Sequence, residues 1–446
     1  MAMLPLLAFL TLGTSLAEAA DAPTIPFTRY QLDNGLDVIL APDNSTPIVY
    51  VSVWYHVGSK DETQGLTGFA HLFEHLMFQG SLSSPDDYFG PLQAVGASIN
   101  GTTSFDRTNY FQTLPSRYLP LALFMESDRM GSLLPVLDQT KLDNQREVVR
   151  NERRQRYENP PYGEAFKDLF SYRFEEGHPY HHMPIGSHED LEAANLDDVS
   201  AFFKKWYVPN NASLVVSGDF DETLTRRLIL ENFGGIPRGA DPERCPLTDG
   251  PISESKVIRQ YHDVLEQRVW IAFNSPRIFE PGDADLDLLS SVLADGKDSR
   301  LYKRLVKEKR LAKTVSVSQF SSLHASTYLM TATAAPGATT DQVVAEAMLV
   351  IEDLLESNPP TTEEIESARA GYEASFYRSL QTISGKGETL QRYNMYQGDP
   401  GYMARDLARY QGVTGESMVE WGRRVLRAPH VALHIWPEAD RPKESN

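Results

Sequence analysis

Two distant stretches of this chain end in the same way. A helical pattern from Val199 to Tyr207 runs into the apolar strand Ala212-Ser-Leu-Val-Val-Ser217, and a helical pattern from Gly415 to Leu426 runs into His430-Val-Ala-Leu-His-Ile435. A helix-then-strand unit that recurs once predicts a duplicated fold. Gly234 to Pro251 holds four Gly and four Pro, which marks a linker between the copies. At 446 residues the chain has the length for two such units, each able to bury its own core. The expectation is an α+β protein of two homologous α/β-sandwich-like domains in tandem, each a mostly antiparallel sheet with helices packed on one face. The first domain spans 25–233, the linker 234–254 and the second domain 255–440.

Local patterns fill in the first copy. Asn34-Gly35 is followed by the alternating Leu36-Asp-Val-Ile-Leu40 and then by Ile48 to Tyr55, two strands joined by a turn-rich link. From Thr67 the spacing of Phe69, Leu72, Phe73, Leu76 and Met77 is helical, and Gly80 supplies a stop. Residues 96–113 are rich in Thr, Ser and aromatics and read as one or two strands. Helices follow around 117–132 and 139–157. In the second copy, Arg268 to Phe273 reads as a strand, and Ala284 to Leu293 and Thr361 to Leu380 as helices.

Composition removes several classes of function. A net charge of −19 lacks the basic footprint that phosphate backbones require, so no nucleic-acid partner is expected. Beyond the N-terminus no apolar run approaches the ~20 residues of a membrane span. The N-terminus itself, Met1 to Gly13, is apolar and leads to Ala17-Glu18-Ala19, which fits an export signal over 1–19 and a periplasmic or secreted protein. Its lack of Lys or Arg leaves a buried N-terminal helix as the alternative. Cys245 is the single cysteine, so there is no internal disulfide and no thiolate cluster, and any metal must be held by His and carboxylates.

The predicted helix after Thr67 carries such residues. His71 and His75 stand four apart and project from one face about one turn apart, a separation at which two imidazoles can grip one cation. Glu74 lies three after His71 on that face, where its carboxylate can take a proton from an attacking water rather than bind the metal. A third ligand has to come from elsewhere. The matching helix of the second copy carries no His, so catalysis belongs to the first. His178, His181 and His182 sit in the Pro-rich Gly177-His-Pro-Tyr-His-His-Met-Pro184, which reads as a loop; a second metal site there lacks a carboxylate at a recognised spacing.

His71-Leu-Phe-Glu-His75 is the inverted zinc motif of the inverzincins. With it the chain resembles the pitrilysin and mitochondrial-processing-peptidase family. The similarity extends through Asn34-Gly35-Leu36, Gly65-Leu-Thr-Gly-Phe-Ala-His71, Asn100-Gly-Thr-Thr103, His178-Pro179-Tyr180, Pro209-Asn-Asn-Ala212 and Gly218-Asp219. The resemblance implies a zinc endopeptidase with one Zn2+ per chain. It implies Glu152 as the third ligand, because 76 residues lie between His75 and Glu152, the spacing the family uses. It implies that Asn100, Gly101, Thr102 and Thr103 form a sheet edge that pairs with an extended peptide substrate. From local sequence alone, Asn100-Gly101 reads equally well as a hairpin turn. Where many relatives have a supporting Glu, seven before the ligand, this chain has Gln145, whose amide keeps hydrogen bonding and loses charge; the neighbouring Glu147 reads as a second supporting or surface group.

The family also completes its site with an Arg and, seven residues later, a Tyr, supplied by another domain or subunit. In this chain's second copy those places read Val306 and Lys313. The resemblance therefore implies a heterodimer in which a zinc-free homologous subunit supplies the pair. A non-catalytic role as a structural or assembly subunit of the same fold is the alternative function.

Overall fold

The computed structural model describes residues 23–85 and 87–442, so the expected export signal lies outside the described residues. Strands β1 (Thr28–Gln31), β2 (Asp37–Pro42), β3 (Ile48–Tyr55), β4 (Ser98–Thr103), β5 (Thr108–Pro115) and β6 (Ala212–Gly218) form one sheet in the order β1-β2-β6-β3-β5-β4. Strands β7 (Lys256–His262), β8 (Arg268–Ser275), β9 (Ala312–Phe320), β10 (Ser326–Ala334) and β11 (His430–Pro437) form a second, in the order β7-β11-β8-β10-β9. With β1 set aside, the two orders superimpose strand for strand. In each sheet one pair is parallel, β2 with β6 and β7 with β11, and the other pairs are antiparallel. Two sheets with the same order and the same single parallel pair are copies of one fold, as the repeated helix-then-strand ending predicts.

Each sheet buries one face under its own helices. Val49, Val51, Val53 and Tyr55 of β3 point into a core shared with the helices Phe69–Leu76, Leu119–Ser132 and Leu196–Trp206. Val269, Ile271 and Phe273 of β8 do the same under Asp283–Ala294, Thr340–Glu356 and Gly415–Leu426. Alternation along a strand then leaves an opposite face to be covered.

That opposite face is covered by exchange between the halves. Helix Ile383–Gln397, late in the chain, lays Leu390 on Ile39, Ala41 and Val215 of the first sheet. Helix Ala165–Arg173, early in the chain, lays Ala165 and Leu169 on Trp270, Ala272, Leu433 and Ile435 of the second. Glu388 accepts hydrogen bonds from the Tyr50 hydroxyl, from Ser52 Oγ at 3.4 Å and from Trp54 Nε1 at 3.4 Å. Gly387 allows this approach, since a Cβ there would fall 2.6 Å from Tyr50 Cδ1. Between Phe233 and Lys256 there is no helix or strand.

The strand read over 96–113 resolves into β4 and β5. Asn100-Gly101 is not their turn. The tip is Ser104–Arg107, where Ser104 Oγ accepts from the Asp106 and Arg107 N–H groups at 3.2 and 3.1 Å and holds the chain in a hydroxyl-capped turn. The helix expected over 139–157 is α-helical for Gln139–Arg153 and closes in a π turn over Arg154–Glu158. Among the described residues no helix is long and apolar enough to cross a membrane.

Candidate metal centre

Helix Phe69–Leu76 turns Phe69, Ala70, Leu72, Phe73 and Leu76 into the core. The remaining positions, His71, Glu74 and His75, fall on its other side, as a 3.6-residue period requires. The two imidazoles lie with ring centroids 4.8 Å apart at an interplanar angle of 78°. The neighbouring helix Gln139–Arg153 brings Glu152 to them. Its Oε2 is 3.2 Å from His75 Nε2 and 3.8 Å from His71 Nε2, and one ligand atom from each of the three residues lies within 4.8 Å of the others. Its other oxygen, Oε1, pairs with Arg156 at 2.8 Å.

The protonation states match those a metal needs. Burial, reinforced by His75, pulls His71 down to about 4, so its ring is neutral at physiological pH. The hydrogen bond from His75, with His71 and Arg156 nearby, outweighs burial and holds Glu152 below the usual carboxylate range. Two imidazoles and one carboxylate converging on one point are the kind of donor set that an open zinc site uses. The residues present fit a zinc ion.

Glu74 stands beside this cluster and outside it. Its Oε2 accepts a 2.7 Å hydrogen bond from Thr103 Oγ1, at the end of β4. Burial raises its carboxyl above the usual range, against the opposing pulls of Thr103 and His75. Between them Gly101 gives the clearance: a Cβ there would lie 3.1 Å from Glu74 Cγ and 3.1 Å from Phe78 Cε2.

Among the described residues strand β4 is an edge, paired with β5 alone. The 2.8 Å bond from Ser104 N–H to Arg107 O fixes the phase of the ladder. Counting back by antiparallel alternation, Thr102 and Asn100 turn their peptide groups toward β5, while Thr103, Gly101 and Ile99 turn theirs to the open edge. The Gly101 N–H is met by its neighbour's Asn100 Oδ1 at 3.0 Å. On the far face, Thr102 Oγ1 donates to Asn109 Oδ1 at 2.6 Å, and Arg107 Nη1 bonds the Thr102 carbonyl at 3.1 Å.

Gln145 is buried on the Glu152 face of its helix, two turns upstream. Glu147 is exposed and pairs with Arg150 at 2.6 Å, away from the cluster. Val306 packs against the second core and Lys313 pairs with Glu266. Gly282, with φ 93°, stands at the N-cap position of helix Asp283–Ala294 as Gly68, with φ 90°, does at that of helix Phe69–Leu76. Aligned on these glycines, Asp285, Leu288 and Leu289 stand where the first half has His71, Glu74 and His75.

Residues that sequence reasoning did not single out hold helix Phe69–Leu76 from behind. Glu62 Oε2 accepts the Gly68 N–H at 2.9 Å and Oε1 the Ala70 N–H at 2.8 Å. Asp190 accepts the Thr67 N–H at 2.9 Å. No local spacing rule could have marked either one, because each reaches the helix through tertiary contact.

The family profile described as Insulinase (Peptidase family M16) matches residues 37–177, and that described as Peptidase M16 inactive domain matches 193–372. Among curated relatives, the zinc protease PqqE of Helicobacter pylori is 29% identical over 89% of this chain and 90% of its own. The mitochondrial-processing peptidase subunit beta of Lentinula edodes is 24% identical over 84% of this chain and 82% of its own. The crystal structure of a protease from Helicobacter pylori superimposes with a TM-score of 0.86 at 26% identity, covering 93% of this chain and all (100%) of that one. With both profiles falling on the two copies in order, this chain belongs to peptidase family M16.

Proposed function

We propose that this protein is a zinc-dependent endopeptidase that hydrolyses peptides or unfolded polypeptides bound as a strand added to β4. The observation that carries this reading is the Glu74 carboxylate, held by Thr103 between the open edge strand and the His71–His75–Glu152 cluster. The names of its relatives, zinc protease and processing peptidase, support it. His71, His75 and Glu152 would hold one zinc per chain, which when bound polarises the scissile carbonyl and offsets charge developing on its oxygen.

The chain's own residues do the rest. The outward peptide groups of Ile99, Gly101 and Thr103 align the substrate backbone, with Asn100 releasing the Gly101 N–H as the strand docks. Glu74 takes a proton from the attacking water and passes it to the departing amine. Gln145 supports the Glu152 helix from within. The metal-bearing domain is 25–233, joined by 234–254 to a metal-free domain over 255–440, with 1–19 an export signal to the periplasm or beyond.

No Arg or Tyr stands at Val306 or Lys313, so the pair that completes family sites comes from a zinc-free homologous subunit in a heterodimer. The test compares the zinc-loaded chain and its Glu74→Gln variant on an unstructured peptide, with and without proteins co-purified from the source. Glu74→Gln should retain zinc and lose at least about 100-fold in kcat. Undiminished hydrolysis by that variant rejects the assignment, and a purified chain with no zinc supports the scaffold role instead.

A further inference from the structure

The three histidines of the Gly177–Gly186 segment divide between two partners, Phe174 and Glu62. His178 stacks on Phe174 with centroids 4.3 Å apart, and His181 Nδ1 faces the Phe174 carbonyl at 2.8 Å. His182 instead places Nε2 2.8 Å from Glu62 Oε2. Burial disfavours a charged ring, yet the Glu62 carboxylate outweighs it and raises the His182 pKa, which favours an imidazolium as counter-charge to a Glu62 side chain that is 0% exposed.

Glu62 is the N-terminal cap of the metal helix. Its two oxygens take the Gly68 and Ala70 N–H groups, which the helix cannot bond internally. The helix has no cap of its own, because Gly68 has no side chain and the first turn contains no acid. The equivalent helix of the other half also starts from a glycine, Gly282, but its first turn carries two acids, Asp283 and Asp285, of which Asp283 pairs with Arg409 at 2.7 Å. The half that devotes this helix to His71, Glu74 and His75 takes its cap from outside.

Two residues before His182, Tyr180 makes a second attachment. Its hydroxyl donates to Asp106 Oδ1 at 2.6 Å, in the tip of the β4–β5 hairpin, and accepts the His324 N–H at 2.9 Å. Asp106 Oδ2 accepts the Leu323 N–H at 3.1 Å. Leu323 and His324 lie in the β9–β10 connection, the counterpart of the β4–β5 tip in the other half. One short segment thus grips the helix that carries Glu74 at one point and the hairpin that carries Thr103 at another, with the second half bound at the same knot.

We propose that His182 and Tyr180 are positioning residues, through which this segment sets the metal helix against the substrate-pairing strand and ties that spacing to the second half. The catalytic consequence rests on the peptidase reading; the structural one does not. In the full-length chain, His182→Leu, His182→Gln and Tyr180→Phe separate the two attachments. Zinc affinity is read by chelator competition, amide exchange of residues 69–76 and 98–103 is read on the metal-free chain, and kcat and KM are read on the loaded one.

His182→Leu should weaken zinc binding about 10-fold and speed exchange in 69–76, and His182→Gln, which keeps a donor for Glu62, should recover most of both. Tyr180→Phe should leave zinc affinity within about twofold, speed exchange in 98–103, and lower kcat about 10-fold at nearly constant KM. Wild-type zinc affinity in His182→Leu, no recovery in His182→Gln, or exchange that rises evenly across the first sheet overturns the proposal. A wild-type chain that binds zinc but cleaves nothing with its partner present defeats the peptidase reading alone, and the zinc and exchange measurements still decide this one.

Discussion

Thr103 Oγ1 donates a 2.7 Å hydrogen bond to Glu74 Oε2, joining the open edge of the first sheet to the acid beside the His71–His75–Glu152 cluster. This bond favours the ionised carboxylate against the burial that raises its pKa. Thr103→Val removes the donor and keeps the shape, so the pKa rises further. More of the enzyme is then protonated, and inactive as a base, at a given acidic pH. The acid limb of the kcat/KM profile should move to higher pH, with activity on the alkaline side kept within about an order of magnitude. An unmoved limb would separate Thr103 from the titrating group.

Gly101 sits where a side chain has no room. A Cβ would meet Glu74 Cγ and Phe78 Cε2 at 3.1 Å and Tyr110 Cδ1 at 3.2 Å. Tyr110 and Phe78 belong to a cluster around the buried Arg129, so they yield little, and Glu74 is the group that moves. Gly101→Ala should lower kcat about 10-fold or more while zinc content stays at the wild-type level. Equal zinc and equal kcat would show that Glu74 tolerates displacement.

How much of this site the sequence disclosed follows from the range of the forces involved. His71, Glu74 and His75 were legible because helical period alone puts them on one side and the Phe69–Leu76 core residues on the other. The strand Ile48–Tyr55 and the helix Gly415–Leu426 were legible to the residue, since each has a dense apolar pattern bounded by breakers. Strand β7, Lys256-Val-Ile-Arg-Gln-Tyr-His262, is a polar edge without the dense apolar pattern that marks a strand. The exchanged helix Ile383–Gln397 also left no signal. It meets its sheet through Glu388, Gln391 and Asn394, polar residues whose partners lie more than 300 positions away in Tyr50, Ser52 and Asp37. Glu62 was hidden for the same reason, as a cap delivered across a loop.

His56 gives the fold a predictable acid sensitivity. Burial, with Arg244 and Lys60 adding repulsion, lowers its pKa to about 4 from an ordinary 6.5, and its Nε2 has no partner among the described residues. Above pH 6.5 the ring is neutral in both states and contributes nothing. As pH falls from 6.5 toward 4 the unfolded chain takes up a proton that the folded chain refuses, so stability is lost across that window. Replacing the ring with a group that does not titrate, His56→Gln, should shrink the difference in unfolding free energy between pH 7 and pH 4.5 by about 2 kcal/mol. Urea titrations of the metal-free chain at the two pH values measure it, and an unchanged difference would locate the acid sensitivity elsewhere.

The exchanged helices make a stronger demand on the chain. A fragment of residues 25–254 keeps all six strands of the first sheet and loses helix Ile383–Gln397. Ile39, Ala41 and Val215 would then face water, Tyr50, Ser52 and Trp54 would lose their shared acceptor Glu388, and Ser213 would lose Gln391. In the same fragment Ala165 and Leu169 would have no second sheet to cover. Exposed apolar area and orphaned donors act in the same direction, at ~1–3 kcal/mol for each buried group left unpaired. The fragment alone should therefore show no cooperative thermal transition, despite containing His71, Glu74, His75 and Glu152. Co-expression with residues 255–442 should restore both the transition and zinc binding, because the covering helices then return across the interface without a covalent link. A fragment that melts cooperatively and binds zinc by itself would show that the first sheet needs only the helices on its own side.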